Sequence, residues 1–484
     1  MDTKGLRRIH DYCYEIPVTY KKGMRVPGRI YATRSLIEQM DEEVREQTAN
    51  VCLLPGIIKY GICMPDGHSG YGFPIGGVAA VDPETGVISP GGIGFDINCG
   101  VRLMATNLTF DEIQPRLKDL MQALFHRIPS GVGEDGIVKL TPSRIDDAMV
   151  GGAAWAVKQG YGTPEDLECI EEGGCMPDAD PAAVSAKARE RGRGQIGSLG
   201  SGNHYLELQV ARPGDIFDPD LARRLIIHRE NQIVVMIHSG SRGLGHQIAT
   251  DYLKQFLSVM GSRYGLSMPD RELACAPFDS EDGRRYFRAM NCAVNYAFCN
   301  RQVLMHGVRS VLCDFFKKNE DELGLRLIYD VCHNTAKLEP HLVDGRERLL
   351  LVHRKGATRA YGPGAPGLPQ RYRETGQPVI IGGSMETGSY LLVGTAQASE
   401  AFYSTCHGSG RVLSRHQAKK SFNGRELQRR LEDRGIYIMT SSLPGLAEEA
   451  GAAYKNIDEV IEATKRAGLS KPVARFTPIG TIKG

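Results

Sequence analysis

The segment "GGIGFDINCG", Gly91 to Gly100, places Asp96 and Cys99 three residues apart among glycines and apolar side chains. A buried carboxylate is costly unless it is paired or bound to a cation. A thiolate beside it is disfavoured unless something strongly positive is close. The pair therefore reads as part of a metal site. Three histidines supply candidates for the rest. His204 lies in "GSLGSGNHYLELQ", between a glycine-rich loop and an alternating apolar strand. His238 ends the run "IVVMIHSGS", and His333 ends another in "IYDVCHNTA". One histidine at a strand end reads as structural. Three such junctions together with Asp96 and Cys99 read as one cleft, because ligand sites assemble where strand ends converge. Carboxylate, thiolate and imidazole suit borderline cations such as Mn, Zn, Co or Ni, and a thiolate can bridge two of them. Paired cations suit phosphoryl transfer, where they offset charge on the attacking and leaving oxygens.

A fourth histidine has a different setting. In "STCHGSGRVLSR", His407 opens a Gly-Ser-Gly-Arg loop followed by further basic residues. Backbone N–H groups and a guanidinium in such a loop suit phosphate, and a neutral imidazole there can attack phosphorus directly. Read alone, His407 fits a phosphate-binding or core position as well. Familiar nucleotide motifs fail here. The GxGxxG matches at 131–136 and 192–197 lack the apolar strand that must precede a dinucleotide fingerprint. No Gly-Lys dipeptide occurs, which excludes a Walker A loop, and the KxDG pattern of lysine nucleophiles is absent, with "LVDG" at 342–345 the nearest string.

The elements that must position these residues alternate irregularly. Residues 22–105 read as short β runs broken by Gly/Pro turns, with a helix over "SLIEQMDEEVREQTAN" that Ser35 caps. Asp180 caps a helix with Pro181 at its first position. "LIIHRE" and "IVVMIHSGS" read as buried strands, and 246–265 and 282–317 as long helices. Strands return after residue 325 ("LLLVHRKGA", "PVIIGG", "YLLVGT") and helices close the chain. A length of 484 residues calls for two lobes or one elaborated domain. With no linker or internal repeat, 1–484 reads as a single large domain of the α+β class.

Composition sets the class. The 57 glycines in 484 residues, against an average usage of roughly 7%, form no collagen-like or linker-like repeat. They imply many turns with positive φ or close backbone approach to a ligand. The net charge of +2 is too balanced to announce a nucleic-acid partner, although "KARERGRG" (187–194), "HRKGATR" (353–359) and "RVLSRHQAKK" (411–420) are locally basic. The twelve cysteines form no CxxC pair, and Cys292 and Cys299 read as small core residues. No run approaches the roughly 18 apolar residues of a membrane span, and no secretory h-region is present, so a cytoplasmic protein with free thiols is expected.

At this level of detail the chain resembles the RtcB family of RNA-splicing ligases. The resemblance runs from "MPDGHSGYGFPIGGVAA" through "GGIGFDINCGVR", "GSLGSGNHYLELQ", "HSGSRGLGHQ", "CHNTA", "HRKGATRA" and "GSMETGSYLLVG" to "CHGSGR", "AYKNI" and the terminal "PIGTIKG". It implies an RtcB-like α+β fold around one deep metal- and nucleotide-binding cleft. The implied activity is GTP- and Mn²⁺-dependent joining of RNA 3′-phosphate or 2′,3′-cyclic phosphate ends to 5′-hydroxyl ends, through a covalent histidine–GMP intermediate, in tRNA splicing or RNA repair. By that resemblance Asp96, Cys99, His204, His238 and His333 hold two manganese ions, with Cys99 shared, and His407 carries GMP. Asn203, Glu207, Ser384, Ser389, Tyr454, Lys483, Asp66 and Arg411 match positions near the nucleotide. Lys355 and Arg359 match candidates for phosphate or RNA-end contacts. RNA is the implied partner, with archease as an accessory protein. Two departures stand out: Ser409 replaces the alanine usual in the HGAGR loop, and Glu386 stands where glycine is common, beside the guanosine site. The rival readings are a two-metal phosphohydrolase or nuclease using an activated water in place of His407, and a non-enzymatic RNA-binding or metal-buffering scaffold.

Overall fold

Alternation along the strand Ser389–Gly394 shows how the core is divided. Tyr390 and Leu392 point into a cluster of 35 buried residues, whereas Leu391 and Val393 point into one of 95. A strand buried on both faces lies inside the molecule. The computed structural model, which describes residues 1–484, sets it in an eight-stranded sheet. Seven of these strands follow the order Arg326–Cys332, Gly100–Thr109, Gln232–Ser239, Tyr205–Ala211, Ser470–Lys483, Ser389–Gly394 and Pro378–Ile381. The eighth, Tyr437–Thr440, runs parallel to Ser470–Lys483. A second, seven-stranded sheet has the order Arg7–His10, Cys13–Ile16, Gly28–Ile30, Ile57–His68, Ile75–Val81, Arg346–Lys355 and Asn334–Val343. Helices are segregated around the sheets, so the fold is α+β. The 36-residue helix Glu281–Phe316 packs on Pro142–Lys158 and Arg242–Val259 and buries Cys292 and Cys299 completely. No helix is long and apolar enough to cross a membrane.

Four local readings differ from the structure. The helix expected from Ser35 is two helices, Arg34–Glu38 and Glu42–Val51. Thr33 caps the first, its side chain accepting from the Leu36 N–H at 3.1 Å. Asp41, extended at ψ 150°, starts the second, with Glu42 and Glu43 suiting its electropositive first turn. The helix after Asp180 is split: a 3₁₀ turn, Pro181–Ala183, that Asp180 caps as expected, and a separate helix, Ala186–Gly192, that Ser185 caps. "LIIHRE" is no strand. Gln232 takes the place of a ladder partner, its Oε1 accepting from the His228 and Arg229 N–H groups at 2.8 and 3.0 Å and its Nε2 donating to the Ile226 carbonyl at 2.9 Å. Finally, the chain closes on a strand, Ser470–Lys483, in the interior of the eight-stranded sheet.

Candidate active site

Sheet register brings the candidate ligands together. Cys332 pairs with Gly100, Gly100 with Ser239, Val101 and Tyr205 both with His238, and Tyr205 with Lys483. The strands are antiparallel, so one edge of the sheet carries, side by side, His333, Cys99, His238, His204 and Lys483. The three-residue spacing of Asp96 and Cys99 is that of a tight turn. The Cys99 N–H donates to the Asp96 carbonyl at 3.0 Å, and Asn98 adopts φ +51°, a left-handed conformation that asparagine tolerates. The turn presents both side chains to the same space. Gly240 is needed opposite, since a Cβ there would lie 2.2 Å from Asp96 Oδ1.

The donor atoms converge. Cys99 Sγ lies 3.3 Å from His204 Nε2 and 3.2 Å from His238 Nε2. His204 Nε2 is 2.8 Å from Asp96 Oδ2, and His238 Nε2 is 3.4 Å from His333 Nε2. Cys99 thus sits between an Asp96–His204 pair and a His238–His333 pair. The outer nitrogens fix the tautomers: His204 Nδ1–H donates to the Leu199 carbonyl at 2.9 Å and His238 Nδ1–H to the Asn203 carbonyl at 3.2 Å. Both Nε2 lone pairs are thereby turned inward, the arrangement by which proteins orient metal-binding imidazoles. Burial would raise the Asp96 carboxyl, but hydrogen bonding to and charge on His204, with Arg242, hold it at about 2. Burial and neighbouring positive charge push His238 and His333 well down, which keeps them neutral. A buried set of sulfur, imidazole and carboxylate donors whose atoms face one another fits cations.

His407 stands beside this set, its ring centre 4.8 Å from that of His333. Its Nδ1–H donates to Asp66 Oδ2 at 2.6 Å, and the backbone N–H groups of His407 and Gly408 reach the same oxygen at 3.1 and 3.2 Å. Asp66 is fully buried. Burial raises its carboxyl, but the charge and hydrogen bonds of His407 hold it below the usual carboxylate range. Asp66 matched a position near the nucleotide in sequence; in space it orients the imidazole. The expected phosphate cradle is correspondingly reduced, because two of the loop's N–H groups are occupied by Asp66. Gly410, at φ +72°, lets the loop close on the Asp66 carbonyl, 2.0 Å from where a Cβ would stand.

These groups open on a cleft of about 740 Å³ that Asn203, Glu207, Ser384, Arg411, Tyr454 and Lys483 also line. Glu449, which sequence reading missed, organises that wall. It accepts from Lys483 Nζ at 3.3 Å and from the Tyr454 hydroxyl, with Arg411 Nη1 at 3.5 Å and Arg415 Nη1 at 3.4 Å. Against burial, the charges of Lys483 and Arg415 hold its carboxyl at about 2. Burial pushes the Glu207 carboxyl up, despite hydrogen bonds from Gln209 at 2.7 Å and Thr481 at 3.1 Å. Ser389 lies behind the wall, its Oγ accepting from Gln209 Nε2 at 3.1 Å and from the Gly383 N–H at 3.3 Å. Glu386 turns away from the cleft, accepting from Arg430 at 3.0 Å and from the Gly451 N–H at 2.8 Å.

Two sequence candidates are not brought to the cleft. Lys355 is buried and donates to the carbonyls of Tyr71 and of Phe73, the latter at 3.3 Å; burial pushes its amine down to about 7. Arg359 is enclosed by Glu171 at 3.3 Å, Glu339 at 3.6 Å and Glu172, with its guanidinium 4.5 Å over the Tyr361 ring. Lys355 is thus turned to backbone carbonyls and Arg359 to carboxylates inside the fold, away from the cleft.

A family model described as "tRNA-splicing ligase RtcB" matches residues 47–484. The tRNA-splicing ligase RtcB of Thermococcus kodakarensis is 51% identical over 481 residues, covering 99% of both chains. That of Archaeoglobus fulgidus is 50% identical over 486 residues and covers both chains completely. That of Methanococcus maripaludis is 50% identical over 478 residues, again covering 99% of both. Half of all positions shared from end to end, in a chain whose motifs converge on one cleft, leave a single assignment: this chain belongs to the RtcB family of tRNA-splicing ligases.

Proposed function

We propose that the protein is an RNA ligase that joins RNA 3′-phosphate or 2′,3′-cyclic phosphate ends to 5′-hydroxyl ends, as in tRNA splicing, using GTP, two Mn²⁺ ions and a guanylylated His407. The observation that carries the reading is the His407 imidazole, held through Nδ1 by buried Asp66 and placed beside the metal-type donor set with Nε2 bare. Asp96 and His204 would hold one cation, His238 and His333 the other, and Cys99 both; bound there, the cations supply positive charge to phosphate oxygens.

His407 Nε2 attacks the α-phosphorus of GTP, the bond to the β-phosphate oxygen breaks, and pyrophosphate leaves. Asp66 offsets the positive charge that develops on the ring. An oxygen of the RNA 3′-phosphate, a cyclic end having first been opened by water, then attacks the same phosphorus. The P–N bond breaks and its electrons return to Nε2. The 5′-hydroxyl next attacks the RNA phosphorus of the resulting anhydride, loses its proton, and GMP departs. A phosphohydrolase on the same ligands would use an activated water in place of a covalent His407 and would give GTP no role. Incubation with labelled GTP and Mn²⁺ tests the reading: an acid-labile protein–GMP adduct and joined RNA are expected, and hydrolysis without an adduct would refute it.

Asp66→Asn is expected to keep cation and GTP binding while slowing adduct formation by roughly 10³- to 10⁴-fold, the scale seen when the carboxylate behind a catalytic histidine becomes an amide. Single-turnover guanylylation at saturating GTP measures this. An unchanged rate would show that Asp66 merely packs.

The C-terminal residues carry a second expectation. Lys483 pairs in register with Tyr205 and Thr440, and its Nζ reaches the Gly202 carbonyl at 3.3 Å as well as Glu449. An ammonium has three donors and no acceptor, so it suits the guanine carbonyl and opposes the amino group of adenine. Deleting Lys483 and Gly484 leaves the strand intact through Ile482. The expected loss is roughly 1.5–3 kcal/mol of GTP binding, about ten- to a hundredfold, with a reduced preference over ATP. Guanylylation kinetics with both nucleotides provide the check, and unchanged selectivity would remove Lys483 from the site.

A further inference from the structure

None of the five metal-type ligands lies on a helix, and they come from segments scattered between residues 96 and 333. The helix Glu281–Phe316 passes beneath them. At its centre, among apolar residues, are Asn300 and Arg301, both wholly buried. Burying an arginine is unfavourable unless every donor is matched. Here each one is. Arg301 Nη1 donates to the Asn98 carbonyl at 2.8 Å and to the Ser239 carbonyl at 2.9 Å. Nη2 donates to Asn98 Oδ1 at 3.1 Å and to Asp330 Oδ1 at 2.8 Å, and Nε donates to Asp330 Oδ2 at 3.0 Å. Asn300 Oδ1 accepts from the Gly197 and Ser198 N–H groups at 2.7 and 3.1 Å. Its Nδ2 donates to Ser239 Oγ at 3.0 Å and to the Gly240 carbonyl at 3.2 Å.

The partners are not scattered through the core. Asn98 precedes Cys99, Ser239 follows His238, and Asp330 lies three residues before His333. Ser239 Oγ in turn donates to the Leu199 carbonyl at 2.8 Å, the same oxygen that fixes His204 Nδ1. Every ligand-bearing strand end is thus tied to two adjacent residues of one helix. We propose that Asn300 and Arg301 are positioning residues that set the spacing of Cys99, His204, His238 and His333 through their hydrogen bonds to Asn98, Ser239, Ser198 and Asp330. The guanidinium fork matters as geometry, because five directed donors reach three chain segments at once. This inference rests on the metal reading above.

The helix contains its own control. Arg309, also buried, donates to Asp166 at 2.7 Å through both Nη atoms and makes no bond to a residue beside a ligand. Arg301→Lys keeps the charge and loses the fork; Asn98→Gly is milder, since glycine adopts the left-handed conformation and the loss is confined to the side-chain bonds to Arg301 and to the Val294 carbonyl of the same helix. Titration of metal-free protein with Co²⁺, read by the thiolate-to-cobalt absorption band, measures affinity and Cys99 engagement together. Wild type and Arg309→Lys are expected to bind alike, even where Arg309→Lys lowers the melting temperature. Arg301→Lys and Asn98→Gly are expected to bind about ten- to a hundredfold more weakly, with a shifted band. If Arg301→Lys does not fold, Asn98→Gly decides. Wild-type affinity and band position in Asn98→Gly, or an equal loss in Arg309→Lys, would overturn the positioning role. A wild type with no thiolate–cobalt band would overturn the metal reading itself.

Discussion

His407→Ala is expected to retain its cations and to bind GTP, yet to form no covalent GMP adduct and join no RNA. The substitution removes the group to which the proposed mechanism gives the P–N bond. It leaves Asp96, Cys99, His204, His238 and His333 with their own hydrogen bonds, none of which involves His407. Asp66 loses one of its three donors but keeps the His407 and Gly408 backbone N–H groups, so the loop stays closed. Loss of a covalent nucleophile costs on the order of 10⁶-fold in turnover, because the remaining site can still bind but cannot form the intermediate. Labelled GTP followed by denaturing separation, with metal content measured on the same sample, tests both halves. An adduct in the variant would place the nucleophile elsewhere. RNA phosphate hydrolysis at the wild-type rate without any adduct would favour the hydrolase reading.

The candidate residues that the structure brings together share one local signature: a polar side chain at the end of an apolar run that meets a glycine-rich loop. That signature survives folding because antiparallel register turns strand ends into neighbours, as with His238 opposite Tyr205 and Cys332 opposite Gly100. The α+β class was legible for the same reason, since strand periodicity and long amphipathic runs are local. What escaped depends on pairings across the chain. Asp66 and His407 are 341 residues apart, and nothing in "PDGH" announces the imidazole that will lie against it. In "HRKGATR" nothing local shows that Lys355 will meet the Tyr71 and Phe73 carbonyls or that Arg359 will meet Glu171 and Glu172, because those partners stand in distant segments. The closing strand was obscured by Pro472, Pro478 and Gly480, which look like breakers. Register shifts beside Pro472 and between Pro478 and Gly480 absorb them, bulges being where a sheet tolerates proline. Asn300 and Arg301 were hidden most completely, because buried polar residues inside a long helix carry no periodic signal at all.

Cys99→Ala is expected to lose both cations, a larger effect than any single histidine substitution. The geometry gives the reason. Cys99 Sγ stands 3.3 Å from His204 Nε2 and 3.2 Å from His238 Nε2, between the Asp96–His204 and His238–His333 pairs, so under the proposed two-cation reading its removal would take a ligand from each ion at once. His204→Ala or His333→Ala opens only one and should leave close to one cation per chain. Without a cation, burial and the neighbouring Asp96 push the Cys99 thiol well up, so it holds its proton. Each variant is therefore compared with its own metal-free form. The difference emerges on adding metal. A ligand at about 100 times its Kd stabilises the folded state by roughly 2.7 kcal/mol, and that gain should vanish in Cys99→Ala while persisting in part in the histidine variants. Cys63→Ala and Cys406→Ala are the controls: Cys63 contacts the Met64 carbonyl and Cys406 contacts Thr464, and neither reaches a ligand. Metal analysis and Mn²⁺-dependent melting shifts across the series decide the matter. A Cys99→Ala protein that retains one cation per chain would show that the sulfur serves a single ion, and a Cys406→Ala protein that loses its metal would redraw the ligand set around His407.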